Sequence, residues 1–169
     1  MRLIESKTLG TAQASIEFTS IPQDGTDLVA ICSVRSTDSN LSLYLRPNGS
    51  TSNLSSRNLQ GTGSVTSSFT GTTIQALATN SGNTANTFSS TSFYLTNYTA
   101  ATAKSFSIDT VTETNATEAY QRITAGLWND TTAISSLQFW PDSGNFAAGS
   151  IISLYKITKG SDGIVTTSP

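Results

Sequence analysis

Histidine is absent from this chain of 169 residues, charged side chains make up only 12% of it, and it contains one cysteine. Without histidine the chain lacks the side chain that most often acts as a general base near neutral pH. A single cysteine cannot form an intramolecular disulfide, so nothing indicates an oxidising compartment. Cys32 lies in the apolar segment 28–34, and we expect a small buried hydrophobe there, because no histidine is available to activate the thiol.

Basic clusters and long apolar runs are also missing. The nine Lys and Arg residues are spread along the chain and the net charge is −2, which argues against nucleic-acid binding. No run approaches the roughly 20 apolar residues of a membrane span, and Glu5 and Lys7 interrupt the start of the chain where a signal peptide would be apolar. We therefore expect a protein made in a cytoplasm that works in a soluble particle or complex.

What the chain does contain is serine and threonine, close to a third of all residues, between short apolar runs. Ala14, Ile16 and Phe18 alternate with polar residues, which predicts a strand with one wet face. Segment 28–34 is nearly all apolar and predicts a strand buried on both faces. Segment 41–46 alternates again, and the residues at 47–49, PNG, predict a tight turn.

Further strands are predicted along the rest of the chain, at 93–95, 104–108, 120–127, 134–139 and 151–157, with up to two weak ones between residues 50 and 92. No segment has a sustained helical period, although 112–122 is compatible with one helical turn. Short strands at regular spacing predict an all-β fold, an antiparallel β-sandwich of jelly-roll type. We expect this domain at 12–159, an extended N-terminal arm at 1–11 and a C-terminal tail at 160–169.

Several side chains could serve a functional site, each with a plainer interpretation. The carboxylates of Asp109, Glu113, Glu118, Asp130 and Asp142 could supply an acid–base pair, but a glycosidase needs two carboxyl groups at a defined separation across a cleft, and acidic residues in turns are ordinary. No calcium-loop, phosphate-loop or other metal or cofactor motif is present. We therefore predict no catalytic residues, no cofactor and no metal.

Aromatic side chains could instead stack on sugar rings. The candidates are Tyr94, Tyr98, Tyr120, Trp128 and Trp140. Because Trp128 and Trp140 lie at the ends of apolar segments, core packing is the default interpretation for both.

The order of several segments resembles a module of tailed-bacteriophage virion proteins. The segments are 14–22 (ASIEFTSIP), 26–29 (TDLV), 45–49 (LRPNG), 97–99 (NYT), 125–128 (AGLW), 133–137 (AISSL), 144–146 (GNF), 149–150 (GS) and 154–157 (LYKI). They extend over about residues 12 to 158, and the chain departs from the pattern at Pro47, where a phenylalanine would be expected before Asn48 and Gly49. The resemblance implies a jelly-roll or sandwich domain of a small capsid protein or a tail-fibre terminus, with no catalytic residues.

Two functions follow from this resemblance. The first is a capsid decoration, or cement, protein on the outer shell, which would form a homotrimer, bind the major capsid protein, and use Ile4, Leu9, Ile164 and Val165 as apolar contacts in its arms. The alternative is a tail-fibre or receptor-binding tip that recognises host carbohydrate through Tyr94, Tyr98 and Trp140. A glycan hydrolase is a third hypothesis, which requires a cleft with two carboxyl groups.

Overall fold

The computed structural model describes residues 1–115 and 119–158. In these residues it contains 12 β-strands and no helix. The strands are β1 (Arg2–Thr8), β2 (Ile16–Phe18), β3 (Asp27–Ser33), β4 (Ser42–Pro47), β5 (Leu54–Gly61), β6 (Thr66–Gly71), β7 (Ile74–Leu77), β8 (Ser90–Leu95), β9 (Lys104–Thr112), β10 (Tyr120–Trp128), β11 (Leu137–Pro141) and β12 (Ile151–Ile157).

The strands form two antiparallel sheets. The large sheet has eight strands in the order β1-β12-β3-β8-β9-β10-β5-β6, and the small sheet has four in the order β2-β11-β4-β7. The prediction of an all-β antiparallel sandwich is confirmed, whereas this strand order does not establish the jelly-roll topology.

Alternation of apolar and polar residues places the core between the sheets. On β9 every second residue is buried, and Phe106 and Ile108 point inward. Phe139 of the small sheet packs edge to face against Phe18 and Phe93, with ring centroids 6.1 Å and 5.5 Å apart. Each large apolar side chain that is fully buried in this way stabilises the fold by about 1.5–3 kcal/mol.

The predicted turn after β4 is confirmed and holds a neighbouring loop. Asn48 and Gly49 have positive φ angles of 49° and 67°, which asparagine and glycine tolerate best. The Asn48 side-chain oxygen accepts hydrogen bonds from the backbone N–H groups of Ser135 and Ser136 at 2.9 Å and 3.0 Å. This turn therefore fixes the chain just before β11.

The structure differs from the sequence predictions in four segments. Within the expected arm at 1–11, residues 2–8 are strand β1, paired along its length with β12. In segment 28–34, expected to be buried on both faces, Ile31 and Ser33 are exposed, because the large sheet is covered on one side only. Segment 112–122, which is compatible with one helical turn in the sequence, instead contains the end of β9 and the start of β10, before and after residues 116–118. β5 is an additional strand in the polar middle region. The predicted tail at 160–169 lies outside the described residues.

Candidate functional site

The outer face of the large sheet consists of the side chains that point away from the small sheet. It is open to solvent and poor in charge. Among its described strand residues the charged ones are Asp27, Arg57 and Asp109. Serines occupy much of the rest, including Ser92 and Ser107 in the middle of the sheet. Dehydrating a surface of this composition costs less than dehydrating a charged one where the serine hydroxyls find hydrogen-bond partners.

On β10 and β5 the usual arrangement of polar and apolar side chains is reversed. Ile123 of β10 and Leu59 of β5 lie directly opposite each other on the outer face, and each is 55% exposed. Arg122, Thr124 and Asn58, which alternate with them, are buried on the inner face. Most sheets with one solvated face place their apolar residues inward. This half of the large sheet therefore presents apolar side chains outward.

Arg122, Thr124 and Asn58 are hydrogen-bonded, whereas the buried hydroxyls of Thr110 and Thr112 on the neighbouring strand β9 have no hydrogen-bond partner among the described residues. Arg122 donates from Nε and Nη2 to the Gln60 side-chain oxygen at 3.0 Å and 2.7 Å, and from Nη1 to the Ala76 carbonyl at 3.4 Å. Thr124 Oγ1 donates to Asn58 Oδ1 at 2.7 Å. Burial lowers the pKa of Arg122 to about 10. These hydrogen bonds offset the dehydration of the inner polar groups, whereas nothing in the described chain covers Ile123 and Leu59.

The apolar side chains of the outer face fall into two groups separated by serines. One group surrounds the pair on β10 and β5, and the other lies on β1, β12, β3 and β8. Their exposed members are Leu59, Val111, Ile123 and Leu127 in the first group and Leu3, Ile31, Tyr94 and Ile151 in the second. Exposed apolar residues that gather on one face in this way mark interaction surfaces.

The structure does not bring Tyr94, Tyr98 and Trp140 together. Tyr94 belongs to the outer face of the large sheet, where its hydroxyl donates to Asp27 Oδ2 at 2.8 Å. This hydrogen bond raises the pKa of Tyr94. Trp140 lies on the opposite side of the sandwich, on the outer face of the small sheet. The three residues proposed from the sequence therefore cannot contact one sugar as a single site.

Tyr98 is a core residue with no exposed surface. Its hydroxyl donates to the Pro22 carbonyl and accepts a hydrogen bond from the Gly25 backbone N–H at 3.1 Å. Burial raises the pKa of this hydroxyl. Tyr98 therefore holds the loop before β3 in place. The prediction that it contacts carbohydrate is wrong, because the ring is fully buried and no ligand can reach it.

Trp140 is half-buried and packed between neighbours on the small sheet. Its ring centroid is 5.5 Å from that of Tyr44, and the Arg46 guanidinium lies 4.2 Å from the ring centroid. The expected core position is therefore not observed for Trp140, whereas Trp128 is buried as predicted. Because Arg46 covers part of the ring, the surface left for stacking on a sugar is reduced.

The proposed apolar contacts near the N-terminus are attached to this chain's own core. Ile4 and Leu9 are partly buried and pack against the central apolar cluster. Leu9 also lines an open groove of about 570 Å³ between β1 and β2. Their packing competes with a role as free anchors for a partner. Ile164 and Val165 lie outside the described residues.

The remaining polar candidates have local structural partners. Cys32 is buried, and burial raises the pKa of its thiol. Asp130 accepts a hydrogen bond from the Thr132 backbone N–H at 2.8 Å, and Asp142 accepts one from the Asn40 side chain. Glu118 is not among the described residues. Within residues 1–115 and 119–158 no three acidic, cysteine or histidine residues gather as a metal site would require, and no helix could span a membrane.

Comparison of the chain with models of protein families, with curated proteins and with solved structures finds no match. The candidate site therefore stands on its geometry. Sequence reasoning missed Leu59 because β5 was not predicted as a strand. It missed Ile123 as a surface residue because an apolar residue in a predicted strand is assigned to the core by default. The alternation in β10 did not reveal this, because the apolar face of Ile123, Ala125 and Leu127 would be assigned to the core, whereas the observed inner face combines Arg122, Thr124 and Gly126 with Trp128.

Proposed function

We propose that this chain is a bacteriophage virion structural protein, a capsid decoration protein that binds the major capsid protein through the outer face of its large sheet. The observation that carries the proposal is the reversed pattern of β10 and β5, with Ile123 and Leu59 outside and a hydrogen-bonded polar layer inside. The resemblance of segments 14–22 through 154–157 to tailed-phage virion modules supplies the biological setting.

The physical case rests on the solvation of the two sides of the strands. Covering exposed apolar side chains with a partner stabilises the complex by about 25 cal/mol for each Å² of apolar surface removed from water. The outer face has few charges to dehydrate, and its serines can form hydrogen bonds across an interface. Several modest contacts made by one oligomer to neighbouring subunits of the shell combine into tight attachment through avidity.

The test measures binding of the purified protein to capsid shells assembled without it, by co-sedimentation. Ile123→Asp places a charge at the centre of the proposed contact, and we expect at least about tenfold weaker binding. Thr19→Asp, at an exposed position beyond β2 of the small sheet, is the matched control and should bind as the wild type does. Equal binding by both variants, with circular dichroism showing both folded, would contradict the proposed docking face.

The alternative function is a tail-fibre tip that recognises host carbohydrate, and of its three proposed contacts Trp140 is the one that lies beside a second aromatic ring. Trp140 is half-buried beside Tyr44, with the polar side chains of Gln138 and Ser42 on the same face. This function predicts glycan binding on an array that is lost in Trp140→Ala and kept in Tyr94→Ala. Retained binding in Trp140→Ala would exclude this face as the glycan site.

A further inference from the structure

Three of the four edge strands of the two sheets carry features that prevent pairing with another strand. β1 contains Arg2, Glu5 and Lys7 and is interrupted by a bulge between Leu3 and Glu5. β2 spans three residues, and its middle residue is charged. β7 spans four residues, all of them buried. Charges, bulges, short length and coverage are the usual means by which proteins protect sheet edges.

β6, the fourth edge strand, has none of these features. It spans six residues, contains neither a charged residue nor a proline, and none of its side chains is buried. Phe69 is 37% exposed, and Val65, which precedes the strand, is 64% exposed. Within the described residues β6 pairs only with β5. The backbone N–H and C=O groups on its other side therefore form a template for a further strand.

We infer that β6 pairs antiparallel with β6 of a second copy of this chain, so that the two large sheets become one sheet across a two-fold axis. A two-fold axis brings the same segment to both sides of the contact. Because β6 is uncharged, this pairing brings no like charges together within the strand. Two copies of an uncharged strand can therefore pair without charge repulsion. A charged strand of another protein would have its charged side chains dehydrated, and β6 has no opposite charge to compensate.

The side-chain alternation restricts the register of this pairing. Directly opposite residues in an antiparallel pair share a face, so the two-fold axis must lie midway between the two copies of one residue, which then pairs with itself. In the middle of β6 that residue is Ser68 or Phe69. Centring on Phe69 places the two rings opposite each other and sets Ser68 opposite Thr70. Each ring is 37% exposed, and its centroid lies 5.0 Å from the Arg122 guanidinium of its own chain. Aromatic cross-strand pairs are among the most stabilising ones, so we assign the Phe69 register.

This contact produces a dimer, in place of the homotrimer expected from the sequence resemblance. It does not depend on the proposed attachment to a capsid shell, because the purified chain alone supplies both partners. A failure of the dimer and a failure of shell binding are therefore separate results.

The first test is the oligomeric state of the purified protein, measured by sedimentation equilibrium over a range of concentrations. We expect a dimer for the wild type and a dissociation constant raised at least about tenfold in Ser68→Lys, because two lysines meet near the axis. Ser107→Lys makes the same change on β9, inside the sheet and away from any edge, and should remain a dimer. A monomeric or trimeric wild type, or a folded Ser68→Lys protein that dimerises normally, would overturn the inference.

Disulfide cross-linking tests the register without relying on the stability of the lysine variant. Phe69→Cys should form a covalent dimer on mild oxidation, since the two Cβ atoms would lie within about 4.5–5.5 Å. Val65→Cys, four residues from the axis, should not cross-link, and the buried Cys32 leaves the introduced thiol as the accessible one. Cross-linking of Ser68→Cys but not of Phe69→Cys would refute the Phe69 register, and no cross-link at either position would refute the edge pairing.

Discussion

Removal of the Tyr98 hydroxyl by Tyr98→Phe tests how the loop before β3 is held. The ring is fully buried and its shape is kept by the substitution. The change leaves the Gly25 N–H without its acceptor in a buried position, while the Pro22 carbonyl lies at an exposed residue and can bind water instead. A buried donor left without a partner costs about 1–3 kcal/mol. We therefore expect the free energy of unfolding to fall by about 2 kcal/mol.

The assay is urea unfolding followed by circular dichroism or tryptophan fluorescence. The midpoint should fall while the m-value stays constant, because the surface exposed on unfolding does not change. For a chain of this length the melting temperature should fall by about 4–8 °C. Tyr94→Phe is the matched control: it removes an exposed hydroxyl that donates to Asp27, and its loss should stay below about 1 kcal/mol. Equal losses in the two variants would refute the argument from burial.

Three further predictions concern other parts of the fold. Gly126→Ala should destabilise the protein by about 1–3 kcal/mol in urea unfolding, because the added Cβ would lie 3.2 Å from Phe106 Cβ and 3.4 Å from a methyl carbon of Ile74. In the control Gly61→Ala the added Cβ meets no atom within 4 Å and the substitution should change stability little, and equal effects of the two substitutions would contradict this packing. The ion pair with Lys156 holds the pKa of Asp24 below its ordinary 3.8. The pair therefore stabilises the fold at pH values above 3.8, and this contribution is lost as the pH falls through the lower pKa of the folded protein. Asp24→Asn should make the stability less dependent on pH in that range, and an unchanged pH profile would count against the pair. Cys32 should react with a thiol reagent only after unfolding, since it is buried and burial raises its pKa; rapid reaction of the native protein would show that the site opens.

The fold class could be predicted from alternating residues wherever one face of a strand is apolar. β9 alternates without interruption and β4 carries Leu43 and Leu45 inward, so both strands were found from the sequence. The turn at Asn48 and Gly49 was also recognisable, because these residue types favour positive φ angles.

The missed strands have patterns that depend on tertiary structure. β5 buries Ser56 and Asn58, and a polar residue is placed inside only when a partner such as Thr124 is available from another strand. β1 has charged residues at three of seven positions, so its pairing with β12 could not be inferred from a local apolar pattern.

The candidate site was the least predictable part. Tyr98 follows Asn97 in a segment that reads as a loop, and its burial depends on contacts with Pro22 and Gly25 that are distant in the sequence. The outer position of Ile123 and Leu59 depends on which face of β10 meets the small sheet. A period-two pattern defines two faces, but when both faces contain apolar residues it does not determine which one is buried.

Cryo-electron microscopy of intact virions, with this protein's density assigned, would locate the protein on the particle. For a decoration protein we expect many copies arrayed over the shell, with Ile123 and Leu59 of each copy facing the major capsid protein. Absence from the shell, or a few copies confined to the tail, would contradict a decoration function, and in the second case Trp140 becomes the residue to substitute next.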